Sequence, residues 1–120
     1  VVSPNMDCRV IRRAKGLGLA SLPGVCTPSE ALAALRHGAD GLNAFPAEQL
    51  EPSAVKACRV VLPPGARVLV TGADALDDPT GYAAAGACGF GAGGQLFRPG
   101  DAPAVVRQRA SALVEACVAA

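Results

Sequence analysis

The sequence predicts an α/β fold, a parallel β-sheet carrying helices and built from five strand–helix units in series. Three observations predict it. Short apolar runs that stop at proline or glycine alternate with segments of helical periodicity throughout the 120 residues, and strict alternation implies parallel strands joined by right-handed crossovers. Arg67-Val68-Leu69-Val70 is an apolar, β-branched run of the kind buried on both faces of a parallel sheet. The composition, 51% hydrophobic and 18% charged, gives a core of Ala, Val, Leu and Gly with three Phe, one Tyr and no Trp, which suits close packing of helices on a sheet. The length is enough for one compact domain, residues 1–120. Five units fit either an open, flavodoxin-like five-stranded sheet or part of an eight-unit barrel, and alternation alone does not choose between them.

Val1-Val2-Ser3 reads as the first strand, closed by Pro4. Met6, Val10, Ile11, Ala14 and Leu17 then recur at helical spacing, with Asn5 placed to cap a helix to Lys15 and Gly16 or Gly18 to end it. Leu19–Leu22 is the second strand, ended by Pro23-Gly24. Thr27-Pro28-Ser29-Glu30 is a capping box with proline at the first helical position, opening a helix to His37 that Gly38 terminates. Gly41 to Phe45 is the third strand, stopped at Pro46, which offers no N–H to a ladder.

Glu51-Pro52-Ser53 opens a helix through Val55, Cys58, Val61 and Leu62, and Pro63-Pro64-Gly65 ends it. Arg67–Val70 is the fourth strand and leads to Thr71-Gly72-Ala73-Asp74. Asp77-Asp78-Pro79-Thr80 starts a short helix through Tyr82 to Ala85, closed by Gly86. Cys88-Gly89-Phe90 is the fifth strand, Gly91-Ala92-Gly93-Gly94 follows, and a last helix runs from about Ala102 to Ala119.

A net charge of +1 and three Phe give no electrostatic footprint or stacking platform for nucleic acid. Arg9, Arg12, Arg13 and Lys15 read as a solvated helix face. No window approaches the roughly 20 apolar residues of a membrane span, and no signal-peptide pattern opens the sequence, so the expectation is a cytoplasmic protein without membrane contact. Cys8, Cys26, Cys58, Cys88 and Cys117 are isolated and odd in number, with no C-x-x-C pair, which argues against zinc and thioredoxin-type chemistry. His37 sits where a helix C-terminus favours it, and Asp74, Asp77 and Asp78 read as a helix-starting acidic cluster, so no metal site is expected.

Chemistry is expected at the end of the third strand, because α/β folds bind ligands beyond the carboxyl ends of their strands. Asn43 and Phe45 are two apart and share a face there, with Glu48 just beyond. Thr71-Gly72 and Gly91 to Gly94 are glycine-bearing strand ends. Their backbone N–H groups could approach a phosphate, or the glycines could simply make tight turns.

Four segments carry a more specific resemblance: Val1-Val2-Ser3-Pro4-Asn5, Leu22-Pro23-Gly24-Val25-Cys26-Thr27-Pro28-Ser29-Glu30-Ala31, Phe45-Pro46-Ala47-Glu48 and Gly91-Ala92-Gly93-Gly94. In this order they resemble successive strand ends of the class I KDPG/KDPGal aldolases, and Ile11-Arg12-Arg13-Ala14 with Leu96-Phe97-Arg98 resembles the galactonate branch. The resemblance implies strands four to eight of a (β/α)8 barrel. It implies cleavage of a 6-phosphorylated 2-keto-3-deoxy sugar acid to pyruvate and glyceraldehyde 3-phosphate through a lysine Schiff base, with no cofactor or metal, in a homotrimer.

Carried over residue by residue, the resemblance puts the Schiff-base lysine at Asn43, an amide that cannot form an imine. Only Lys15 and Lys56 exist in the chain, and both read as helix residues away from the strand ends. The resemblance further implies that Pro4 and Phe45 line a pyruvate pocket and that Thr71, Gly72, Gly93 and Gly94 stand at the phosphate site, with Thr71 replacing a glycine and Gly94 a serine. The family's general-base glutamate, its accompanying arginine and a Gly-Thr-Val strand would precede Val1. The expectation is a member by descent that is inactive as given, the remnant of a truncated or mis-called gene. The alternative is a non-catalytic module binding a phosphate or sugar acid, completing a barrel with a partner chain.

Overall fold

Helices begin in this chain where a side chain or a proline satisfies their first turn. The computed structural model describes residues 1–119, apart from the side chain of Asp74. Helix α1 (Cys8–Gly16) is capped by Asp7, whose carboxylate accepts from the Arg9 N–H. The cap is therefore Asp7 and not Asn5, because Asp7 is the residue whose carboxylate meets that first-turn amide. Helix α2 (Pro28–Arg36) opens on the expected capping box of Thr27 and Glu30 and ends at His37, with Gly38 at φ +95°. Helices α3 (Pro52–Val61), α5 (Pro79–Ala84) and α6 (Pro103–Ala119) each start at a proline. Asp78 caps α5 by accepting from the Gly81 N–H. The sequence reading missed α4 (Ala73–Asp77), a single short helix directly after the fourth expected strand.

Four strands form one parallel sheet: β1 (Gly24–Val25), β2 (Leu42–Ala44), β3 (Val68–Thr71) and β4 (Gly89–Gly91). Two strand expectations shift. Val1–Ser3 contributes only a parallel bridge between Val2 and Leu22. The second strand lies at Gly24–Val25 instead of ending at Pro23-Gly24. Proline N–H is not needed there, since Asn43 donates to the Pro23 carbonyl at 2.9 Å and the ladder continues past it.

The spatial order is consecutive, β1-β2-β3-β4. Gly24 and Val25 stand opposite Asn43 and Ala44, Leu42 to Ala44 opposite Val68 to Val70, and Leu69 to Thr71 opposite Gly89 to Gly91. A flavodoxin-like sheet would place its first strand between the second and third. Here Val2 bridges Leu22 while β1 pairs directly with β2, so the flavodoxin-like alternative is set aside and the sheet is an open segment of a (β/α) barrel.

Alternation along the strands divides the sheet into two faces. Val25, Leu42, Ala44, Val68 and Val70 form the core with Ile11, Ala31, Ala34, Val55 and Tyr82 from the helices and the loop before them. Asn43, Leu69 and Thr71 lie on the opposite face, where Leu69 and Thr71 are half-buried. No helix among the described residues is long and apolar enough to cross a membrane.

Candidate functional site

The open face of the sheet carries one polar pair at its carboxyl end. Asn43, in the middle of β2, is 4% exposed. Its Oδ1 accepts from the Thr71 hydroxyl at 2.7 Å, linking β2 to the last residue of β3. Because Asn43 stands opposite Leu69, Thr71 is two residues further along the same face, within reach of an amide. Room for that hydroxyl comes from the next strand. Gly91 pairs with Thr71, and a methyl group on Gly91 would overlap the Thr71 Oγ1.

Glycine serves the other flank in the same way. Gly24 pairs with Asn43, and a Cβ there would overlap the Pro4 carbonyl. Pro4 is exposed and reaches the site through its backbone lying over Gly24. Phe45 is half-buried and follows β2 directly, on the face of Asn43. The structure thus brings Pro4, Asn43, Phe45 and Thr71 to one end of the sheet.

Gly72 has φ +151° and is pressed on by the turn Ala47–Gln49: a Cβ would come within 2.6 Å of the Ala47 Cβ and 2.8 Å of the Glu48 Oε2. Glu48 Oε1 accepts from the Ala73 N–H at 2.8 Å, and that hydrogen bond holds the Glu48 carboxyl below the usual range. Glu48 therefore caps the start of α4. Gly93 and Gly94 lie apart from this pair in an exposed turn after β4, with open space where side chains would be. Arg98 donates from Nε to the Gly94 carbonyl at 3.2 Å.

Neither lysine reaches the site. Lys15 bonds both Asp40 carboxylate oxygens, at 2.7 and 2.8 Å, and Asp40 also accepts from the Ser21 N–H. Those contacts hold Lys15 at the amino end of the sheet, and they lower the Asp40 carboxyl below its ordinary value. Lys56 is exposed in the middle of α3, in the outer helix layer. Among the described residues no three His, Cys, Asp or Glu gather where they could hold a metal ion. The reading of Asp74 as part of an acidic cluster falls on a side chain outside the described residues; of its neighbours, Asp78 acts as a helix cap. Cys58 is half-buried and burial pushes its thiol up, as expected of a small core residue.

The Asn43–Thr71 bond and the Glu48–Ala73 bond were not foreseen from the sequence. Parallel register and face parity together locate the first, but register is a tertiary quantity that spacing along one chain does not contain.

A consecutively ordered parallel sheet with helices on one face and its polar residues at the strand carboxyl ends defines the (β/α)-barrel class, present here as an open segment. No protein-family model matches the chain. It is 45% identical over 116 residues to a probable 2-dehydro-3-deoxy-6-phosphogalactonate aldolase of Rhizobium meliloti (strain 1021), covering 97% of this chain and 55% of that protein. It is 37% identical to the 2-dehydro-3-deoxy-6-phosphogalactonate aldolase of Escherichia coli (strain K12), again over 97% of this chain and 57% of that protein. A solved structure described as native KDPGal superimposes with a TM-score of 0.91 at 37% identity, covering 96% of this chain and 56% of the other.

The chain belongs to the KDPG/KDPGal aldolase family, of whose barrel it is a part. It spans a little over half the length of the curated relatives it matches.

Proposed function

We propose that this chain carries the aldolase scaffold and a remnant of its oxo-acid pocket without the covalent chemistry, so that it does not by itself cleave 2-keto-3-deoxy-6-phosphogalactonate. The observation that carries the reading is Asn43, buried at the strand end where the family resemblance puts the nucleophilic lysine, with its amide oxygen bonded to Thr71. An amide nitrogen shares its lone pair with the carbonyl and does not attack a ketone. Lys15 is tied to Asp40, and Lys56 stands in the outer layer. Pro4 reaches the same strand end by its backbone over Gly24, and Phe45 follows Asn43 two residues on.

A phosphorylated ligand would be met by Gly93 and Gly94, where the backbone is open and Arg98 stands four residues on. Thr71 and Gly72 contribute less, since the Thr71 hydroxyl is engaged with Asn43 and the Ala73 N–H with Glu48. Loss of an imine-forming nucleophile removes the covalent step on which class I aldol cleavage depends.

Borohydride trapping with pyruvate, read by intact mass, tests the reading. The native chain is expected to gain no adduct. The Asn43→Lys variant is expected to gain one, because an amine at this buried position has its pKa depressed towards the nucleophilic form. An adduct on the native chain would overturn the reading and direct attention to Lys15 or Lys56.

A further inference from the structure

We infer that the cavity between α2 and α3 binds a small, neutral, largely hydrocarbon molecule of bicyclic size. The site lies on the helix-covered face of the sheet, opposite the face of Asn43, and does not rest on the reading above. Helix α1 packs on α2 and α3 packs on α5, but α2 and α3 leave between them a cavity of about 310 Å3. Its floor is the sheet at Leu42, Ala44 and Val68, and its walls carry Ala31 from α2 with Cys58 and Val61 from α3. The space has a cause in the sequence. Ala31 and Ala44 are buried where longer side chains would fill part of it, and Ala54 adds a third small side chain from α3. Ala57 and Val61 line the cavity yet are exposed, which places its mouth along α3.

The lining decides the class of ligand. No Asp, Glu, Lys, Arg or His lines the cavity. The polar groups where α2 begins are already engaged with Glu30. The Cys26 and Thr27 N–H groups each donate to Glu30 Oε2 at 2.9 Å. The Thr27 hydroxyl donates to that same oxygen and accepts from the Glu30 N–H. A charged ligand would therefore lose its hydration and meet no opposite charge in return, which is unfavourable. An apolar ligand gains twice, by leaving water and by supplying the dispersion contacts that the walls lack. The volume sets the size: a hydrocarbon-lined cavity of about 150 Å3 holds benzene, and this one is about twice as large. Two free thiols in its wall, Cys26 and Cys58, report on whether it is filled.

Fluorescence titration of the 120-residue chain with N-phenyl-1-naphthylamine, a neutral bicyclic probe, tests the inference. Saturable binding of one probe per chain is expected. The sulfonated analogue 8-anilinonaphthalene-1-sulfonate has the same rings and a negative charge, and is expected to bind about tenfold more weakly or worse. Ala57→Trp, at the exposed mouth, is expected to fill the cavity and weaken the neutral probe about tenfold, with circular dichroism unchanged. Val2→Lys, on a distant apolar margin, is expected to leave binding as it is. Without any variant, the neutral probe is expected to slow alkylation of Cys26 and Cys58 by N-ethylmaleimide, read by peptide mass, and to leave that of Cys8 and Cys88 unchanged. The inference is overturned by absent binding, by equal affinity for the two probes, or by alkylation of Cys58 that the probe does not slow. Unchanged affinity in a folded Ala57→Trp, or binding lost in Val2→Lys, would likewise overturn it, since the probe would then sit elsewhere.

Discussion

At position 43 an amide stands at a strand end whose neighbours are arranged around it. Thr71 reaches it only because Gly91 has no side chain, and Gly24 beside it yields its space to the Pro4 backbone. Gly91→Ala is therefore expected to destabilise the chain by about 1–3 kcal/mol, the usual effect of forcing a methyl group into a filled space. Urea unfolding checks the number, and an unchanged midpoint would mean that the Thr71 side chain moves aside freely. The sequence made Asn43 and Phe45 legible, because strand parity and the Pro46 stop are local features. It did not reveal what Asn43 touches. Thr71 is 28 positions away, and only the pairing of Asn43 with Leu69 brings it near. Glu48 was legible as the carboxylate closest to the strand end, but its role as a cap on α4 needed the Gly72 approach, which no spacing predicts.

Elements declared themselves in the sequence to the degree that their ends are chemically marked. Helix α2 has a complete capping box and a glycine with positive φ, and its expected limits agree with the structure to within a residue. The strand at Gly24–Val25 was misplaced because Leu19 to Leu22 is the more apolar run, whereas pairing with β2 decides where the ladder forms. Helix α6 depends least on the core: none of its residues is fully buried, and Val105, Val114 and Val118 are exposed. Its firmest anchor is the ion pair between Arg109 and Asp101, with Asp101 also accepting from the Arg98 N–H at 2.7 Å. The Arg109 guanidinium, then the Arg98 amide, hold the Asp101 carboxyl below its ordinary value. A carboxyl lowered in the folded state stabilises above its unfolded pKa, about 3.9, and that contribution is lost as pH falls through the folded value. Asp101→Asn at neutral pH is thus expected to speed amide exchange in α6 severalfold while α2 is unaffected, and acidification below about pH 4 to lower the protection of α6 relative to the intrinsic exchange rate at that pH. Equal exchange in α6 of the variant and the native chain would show that the pair does not anchor the helix.

The molecule as a whole is an unclosed shell. Its radius of gyration is 14.7 Å, against about 13.6 Å for a compact domain of this length. At one margin Val1, Val2, Val10, Leu17 and Leu19 are exposed; at the other, β4 has β3 as its sheet neighbour. Unpaired parallel margins with apolar side chains favour association. The 120-residue chain is expected to grow in apparent mass with concentration in light scattering, and Val2→Lys to shift it towards one chain. A concentration-independent monomer would mean that these margins are covered by rearrangement within the chain. The consecutive strand order has a kinetic side as well. Each strand joins the one synthesised just before it, so no contact in the sheet waits for a segment made much later. Such a chain can be laid down unit upon unit as it leaves the ribosome, each new hairpin of strand and helix finding its template already in place.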